Sequence, residues 1–373
     1  MRHHVRSFLA VGCATLLAVG CADNPAGEQP ETQESLVEAV RAMGFRTDMI
    51  QDHGKFLLVE GDIYLSKEQL RAYRPARAEG ARKPRYQYTT TNLVSSTKIN
   101  QIKVDLSGLN SQTGWQSAAR DAIAYWSGIT DANVNIVEGT PADITVSTTC
   151  TWSNVAAFAS FPSGGNPGST IYVNTCFGYS TTNAQKVHNM VHEFGHTIGF
   201  RHSNYTQLGE SAGTEGANHI FGTPTSGNAT GSVMNGGTAL NSWAGFASSD
   251  LTAVRARYPL PAPPSLSVTN SNGTPLISWG AASGATGYTV SLITFNTANG
   301  NYQNHYYTTL GTTTGTSYLD VNNAYTGVYE CNYDWGWNGE TYGAWYEYAV
   351  QANYANGSSP ILNARIYAPM APC

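Results

Sequence analysis

The run VHEFGHTIGFRHSN, which begins at Val191, carries the residues best suited to chemistry. On a helix His192 and His196 stand four residues apart, on one face and about one turn from each other. Their imidazoles can therefore point at a single ion. Glu193 projects to the side of that face, where a carboxylate can take the proton of a water held at the ion. Gly199 is where the helix can stop, because glycine accepts the left-handed backbone that a turn requires. The turn brings His202 back as a third nitrogen ligand. Three histidines leave one position for water or substrate, which is the arrangement of a catalytic zinc site and not of a closed structural one. Zinc lowers the pKa of such a water toward about 7 and polarises a scissile carbonyl.

Positioning these groups takes a helix and a sheet to hold it. Val187, Met190, Val191, Phe194 and Ile198 recur at helical spacing, so a helix is predicted from about Asn183 to Gly199. An earlier helix is signalled by Trp115, Ala119, Ala122, Ile123 and Trp126. IKVDL near residue 104, VNIV, ADITVS, VAAFASF and TIYVN read as strands. A Gly-, Asn- and Thr-rich loop region fills Phe200 to Trp243. Ser248 or Ser249 could cap a last helix that presents Leu251, Val254 and Tyr258. The run PLPAPP is a linker, and short strand-like segments without a helix follow it to Cys373.

A bare HExxH pattern is weak, but here it lies on an amphipathic helix and extends to HExxHxxGxxH. The sequence resembles the metzincin metalloendopeptidases at every fixed position: His192, Glu193, His196, Gly199 and His202. The resemblance implies a methionine turn beneath the metal, and SVMNGG supplies Met234 for it. Within the metzincins the chain is most similar to the bacterial HEIGH-type dual-action metallopeptidases, on HEFGHTIGFRH, IFGTPTSGNATGSVMN and SSDLTAVRARYP. Phe194 stands where that family's nickname has Ile. Unlike astacins, the chain has no Tyr just after Met234, so no tyrosine ligand is carried over. An extended substrate in metzincins pairs with the sheet's edge strand, and Val155 to Phe161 is the candidate edge; the alternative is an interior strand.

The implied architecture is an α+β catalytic domain, a mixed sheet plus the active-site helix, over 86–260. Residues 22–85 read as a propeptide, or else as a membrane-proximal spacer. They hold a helical stretch with Leu36, Val37, Val40 and Met43, a strand-like KFLLVEGDIYL, and the basic linker RAYRPARAEGARKPR ending at Arg85. No cysteine lies between Cys21 and Cys150, which excludes a cysteine latch. VEGDI resembles the EGDI segment of astacin prosegments, whose aspartate occupies the zinc, and this makes Asp62 the candidate latch. Gly-Asp is also a common turn. Residues 261–373 resemble a fibronectin type III sandwich through Trp279, Tyr288 and Tyr348. The Tyr- and Trp-rich stretch beginning at Tyr329 could contact polysaccharide or protein, or pack inside the module.

The chain opens with Arg2, Arg6 and a short apolar run ending at Gly20–Cys21, an export signal of residues 1–21. It resembles a lipoprotein signal, which makes Cys21 the candidate for lipid attachment to a bacterial membrane; the alternative is cleavage without lipid. The expected location is the outer membrane or cell surface, or the medium. Cys150, Cys176, Cys331 and Cys373 suit an oxidising compartment, and only Cys150–Cys176 with Cys331–Cys373 keeps both bridges within domains. Charged residues make up 12% of the chain, with 25 acidic and 20 basic, which gives no case for nucleic acid. The expected partner is a protein or peptide substrate. Two other classes compete: an exported binding or adhesion protein on an inactive protease scaffold, and a structural metal protein. The retained Glu193 argues against the first, the missing fourth ligand against the second.

Overall fold

A computed structural model describes residues 33–42, 45, 47, 50–72, 87–151, 154–213, 215–224, 231–298, 301–323 and 343–369. Cys21, Met43, Arg85, Cys331 and Cys373 lie outside the described residues, and so do the export signal, the lipidation reading, the second disulfide and most of the aromatic stretch from Tyr329.

The N-terminal segment folds as α1 (Gln33–Ala42), β1 (Gln51–Asp52), β2 (Phe56–Val59), β3 (Ile63–Ser66) and α2 (Lys67–Ala72). Leu36 and Val40 of α1 meet Leu57, Val59, Ile63, Leu65 and Leu70 in a small core of their own, completed by Phe161 from the next domain. Strands β1 to β3 pair antiparallel in chain order.

The central domain contributes β4 (Tyr88–Thr89), β5 (Ile102–Gly108), α3 (Thr113–Ser127), β6 (Ile136–Glu138), β7 (Ile144–Thr149), β8 (Ala157–Ala159), β9 (Thr170–Asn174), α4 (Asn183–Thr197), β10 (Asn218–His219) and α5 (Ser248–Arg257). Its sheet runs β1-β2-β3-β8-β9-β7-β5-β6 among the described residues. Strands β9, β7, β5 and β6 are parallel neighbours, whereas β8 runs antiparallel to β9. The alternation in β5 explains its placement: Ile102, Val104 and Leu106 are buried and Lys103 is exposed, so one face meets the helices. Those side chains join Val146, Ile171 and Val173 with the apolar faces of α3 and α4 in the main core. Trp126 ties the two helices, its indole Nε1 donating to the Val191 carbonyl at 2.9 Å. Cys150 and Cys176 are bonded, pinning the loop between β7 and β8 to the end of β9.

Two sequence expectations are corrected. Strand β8, expected at the edge, is interior in the intact chain: β3 lies parallel on its outer side through Ile63 and Ala159, and Ala159 N donates to the Asp62 carbonyl at 3.0 Å. Strand pairing across about a hundred residues leaves no local signal, so the N-terminal segment's claim on this strand is invisible in either stretch alone. The last helix takes no cap from Ser248 or Ser249. Asp250 reaches back instead, accepting from Ala247 N at 3.1 Å and from Val233 N at 3.0 Å, and so links α5 to the loop holding Met234.

Past the Pro-rich linker come β11 (Leu266–Ser271), β12 (Thr274–Trp279), β13 (Gly287–Ala298), β14 (Asn301–Thr313), β15 (Ser317–Leu319), β16 (Gly343–Tyr354), β17 (Gly357–Ser358) and β18 (Leu362–Pro369). They form two antiparallel sheets, β11-β12-β15 and β14-β13-β16 with β17 and β18. Ile277 and Trp279 from the first share a core with Tyr288, Val290, Tyr348 and Val350 from the second. The turn at Asn356 docks on the central domain, accepting from Asp131 N at 3.0 Å and donating to the Ala132 carbonyl at 3.2 Å.

Candidate metal centre

Helix α4 presents the first two histidines because both of its ends are set by sequence. Thr182 Oγ1 accepts from Gln185 N at 3.3 Å while Gln185 Oε1 accepts from Thr182 N at 2.8 Å, a reciprocal cap that fixes where the helix starts. At the other end Gly199 has φ +97°, and a Cβ there would lie 2.9 Å from Leu93 and 3.0 Å from Thr90. Glycine alone fits both the dihedral and the space. The chain then doubles back through Phe200 and Arg201 to bring His202 beside the helix.

His192, His196, His202 and Asp62 come together, one donor atom from each lying within 4.8 Å of the others. Every imidazole is oriented by its far nitrogen. His192 Nδ1 donates to the Val233 carbonyl at 2.7 Å, and His196 Nδ1 to the Phe200 carbonyl at 2.8 Å. His202 Nδ1 meets Glu210 Oε1 at 2.5 Å. A proton held at Nδ1 leaves each Nε2 lone pair facing the centre, the arrangement by which outer partners set metal-ligating histidines.

Asp62 Oδ2 stands 3.0 Å from His202 Nε2 and 3.4 Å from His192 Nε2, and Asp62 Oδ1 stands 3.8 Å from His196 Nε2. Donors at about 2.0–2.1 Å from one tetrahedral zinc are separated by about 3.3 Å. Furthermore, His192 Nε2, His196 Nε2, Asp62 Oδ1 and Glu193 Oε2 are buried without a hydrogen-bond partner among the described residues. Leaving each such atom unsatisfied costs about 1–3 kcal/mol. A cation at the centre removes most of that cost, so the residues fit a metal ion.

Electrostatics follow the same crowding. Burial, and then the charge of Asp62, push the Glu193 carboxyl well above the usual carboxylate range. Burial alone would raise Asp62 as well, but His202 and His192 outweigh it and hold Asp62 low. Burial, and then His192, push His196 well below its ordinary value. His202 goes the other way, since Asp62 and Glu210 overcome the effect of its burial.

Met234 is 2% exposed, its carbonyl accepts from Ser203 N at 2.8 Å, and its thioether lies against Gly195 of α4, the residue before His196. The contact depends on Gly195, where an added Cβ would come 2.4 Å from Met234 Sδ and 3.3 Å from Trp126. Gly195→Ala gains about 1 kcal/mol of helix propensity but must displace a fully enclosed methionine, at about 1–3 kcal/mol. The second effect wins, so thermal unfolding of the variant is expected a few degrees below wild type; an unchanged or higher midpoint would show that Met234 has room to move.

Sequence reasoning missed three contributors. A glycine inside a strong helical pattern is a legible signal of close packing, and Gly195 could have been found that way. Glu210 and Asp250 carry no such signal. Both act from loops or helix ends, Glu210 by orienting His202 and Asp250 by bonding Ser232 Oγ at 2.6 Å and Val233 N at 3.0 Å behind His192. His188, one turn before His192 on α4, is paired with Thr238 Oγ1 at 3.0 Å, and burial pushes its pKa down to about 4. His219 lies 3.2 Å from Thr223 Oγ1, away from the centre. A cavity of about 370 Å³ opens beside the histidines, lined by Glu60, Asp62, Val155, His188, Glu193 and Thr238 among others.

Comparison with known proteins agrees with this geometry. The family model of the dual-action HEIGH metallopeptidases matches residues 57–258, more than half of the chain. The chain belongs to that family. The matched span of this metallopeptidase begins in β2 and so takes in Glu60 and Asp62. Among solved structures, myroilysin aligns at 17% identity over 42% of this chain and 82% of its own, with a TM-score of 0.29. A Fn3-like protein from Clostridium thermocellum aligns at 27% identity over 28% of this chain and 91% of its own, with a TM-score of 0.19. OgpA from Akkermansia muciniphila aligns at 11% identity over 78% and 96%, with a TM-score of 0.19. No curated protein matches the metallopeptidase. Its assignment rests on the family match and on the metal-fitting cluster, not on these weak structural likenesses.

Proposed function

We propose that the chain is the latent precursor of an exported zinc endopeptidase of the metzincin type. The observation that carries the reading is the convergence of three histidine Nε2 atoms, each imidazole oriented through Nδ1, beside Glu193, whose Oε2 has no hydrogen-bond partner among the described residues. His192, His196 and His202 would hold the ion. Bound there, zinc supplies a Lewis acid that polarises a scissile carbonyl and lowers the pKa of a coordinated water.

The remaining work belongs to Glu193. Its carboxylate takes a proton from the attacking water, whose oxygen bonds to the carbonyl carbon. As the C–N bond breaks, the same carboxyl delivers the proton to the departing amine nitrogen. That carboxyl is buried and lines the cavity beside the histidines, where a substrate carbonyl would lie. The Met234 loop fixes His192 from below through Val233, and Glu210 fixes His202 from the side.

Latency in this reading comes from Asp62, whose carboxylate stands as the fourth donor where the open position would be. Its own backbone carbonyl is engaged by Ala159 N, so the side chain of Asp62 and not its peptide carbonyl meets the histidines. Residues 22–85 would then be the propeptide, 86–260 the protease domain, and 261–373 a fibronectin type III-like module. With them go the export signal of residues 1–21, attachment through Cys21 or release, and a disulfide between Cys331 and Cys373.

The metal requirement tests the reading. Casein cleavage by the chain, activated by limited proteolysis of the linker before Tyr86, is expected to vanish on dialysis against a chelator and to return on adding one equivalent of zinc. Full activity in a sample with no residual metal would contradict it.

A further inference from the structure

The residue before the third histidine is Arg201, whose side chain is 0% exposed. Its Nη1 donates to the Ala212 and Gly216 carbonyls, both at 3.0 Å, and its Nη2 donates to Glu60 Oε2 at 2.9 Å. The guanidinium lies between two rings, Tyr205 at 5.4 Å and Phe45 at 5.6 Å. Its Nε has no hydrogen-bond partner among the described residues.

These partners divide by origin. Ala212, Gly216 and Tyr205 belong to the protease domain and hold the fork in place. Glu60 and Phe45 belong to the N-terminal segment. Glu60 is bent inward at φ +52°, a backbone conformation that glutamate rarely adopts, and Ser211 N steadies its other oxygen at 3.3 Å. Departure of the segment therefore takes away the one carboxylate hydrogen-bonded to Arg201 among the described residues and one of its ring covers. Two acids stay behind: Glu215 feels the charge of Arg201 but makes no hydrogen bond to it among the described residues, and Glu210 is poorly placed, because its Oε1 is engaged by His202 and its Oε2 lies 3.8 Å from Nη2. Glu60 also lines the same cavity as Glu193, and stands two residues from Asp62.

We infer that Arg201 is a specificity subsite of the activated enzyme, taking the carboxylate of an Asp or Glu side chain in the substrate within about two residues of the scissile bond. Glu60 is the precursor's own occupant of that subsite. This rests on the peptidase reading above. A guanidinium whose Nη1 is fixed by two backbone carbonyls turns Nη2 toward a carboxylate, and a neutral amide of the same shape can accept that hydrogen bond but brings no charge to balance the cation. A hydrogen bond between charged groups of this kind corresponds to roughly 10–100-fold discrimination.

The experiment uses the full chain activated by limited proteolysis and fluorogenic peptides that differ only by Glu or Gln, placed in turn at each of the two positions on either side of the scissile bond. At one of them Glu is expected to raise kcat/KM by roughly 10–100-fold over Gln. Arg201→Lys should shrink that ratio and Arg201→Gln should bring it to about one. A synthetic peptide covering residues 55–66 provides a second measurement that needs no variant protein. It should bind the activated chain at least about tenfold more tightly than its Glu60→Gln form. Equal kcat/KM for Glu and Gln at all four positions, or equal binding of the two peptides, would overturn the inference and leave Arg201 as an anchor of the precursor only. Failure to cut any peptide would instead contradict the peptidase reading, while the binding comparison would still decide this one.

Discussion

Glu193→Gln is expected to lower peptide hydrolysis by the activated chain roughly 10²–10⁴-fold while leaving zinc content and thermal stability nearly unchanged. The magnitude follows from what the substitution removes. Glutamine fills the same volume between α4 and β8 and keeps an oxygen facing the cavity, but it cannot accept a proton from water or return one to the amine. Glu193 is buried and its Oε2 has no hydrogen-bond partner among the described residues, so no ion pair is broken by the change. The three histidines keep their outer partners at Val233, Phe200 and Glu210, which is why the metal should stay. Initial rates on a fluorogenic peptide, with zinc measured in the same samples, give the answer. A loss of activity below tenfold at equal zinc would mean that another group carries the proton.

The second large effect is expected in the precursor. Asp62→Asn exchanges an anionic oxygen for a neutral amide at the centre of three histidines, forfeiting a charge-assisted contact worth about 1.5–3 kcal/mol. The open form of the precursor should then become about 10–100-fold more populated. Glu60 and the small core around Leu36, Val59 and Ile63 still hold the segment against β8, so activity should rise without the segment being cleaved. Precursor whose linker has been made resistant to proteolysis is the right material. Latency equal to that of the parent precursor would remove Asp62 from its proposed role as the plug.

Most of the metal centre was legible because its spacing is local. The four-residue interval of His192 and His196 and the glycine at 199 are properties of a single helix and its end, and the sequence displays them directly. Helix α3 was legible for the same reason, through Trp115, Ala119, Ala122 and Trp126. Asp62 was reached only through the likeness of VEGDI to astacin prosegments; 130 residues separate it from His192, and nothing local joins them. Glu210 lies in a loop with no periodicity, and its orientation of His202 follows from how that loop closes. Arg201 read as an unremarkable residue inside the motif until the fold brought Glu60 against it. The interior placement of β8 failed to show because its outer neighbour comes from a segment nearly a hundred residues earlier in the chain. Local periodicity specifies elements and faces, while partners between distant segments depend on topology.

Zinc-edge X-ray absorption on the full-length, zinc-loaded precursor tests the central claim most directly. The account predicts a first shell of three imidazole nitrogens and one oxygen donor at about 2.0–2.1 Å, with the imidazole contribution reduced in His202→Ala. A shell containing sulfur at about 2.3 Å, or one that His202→Ala leaves unchanged, would contradict it.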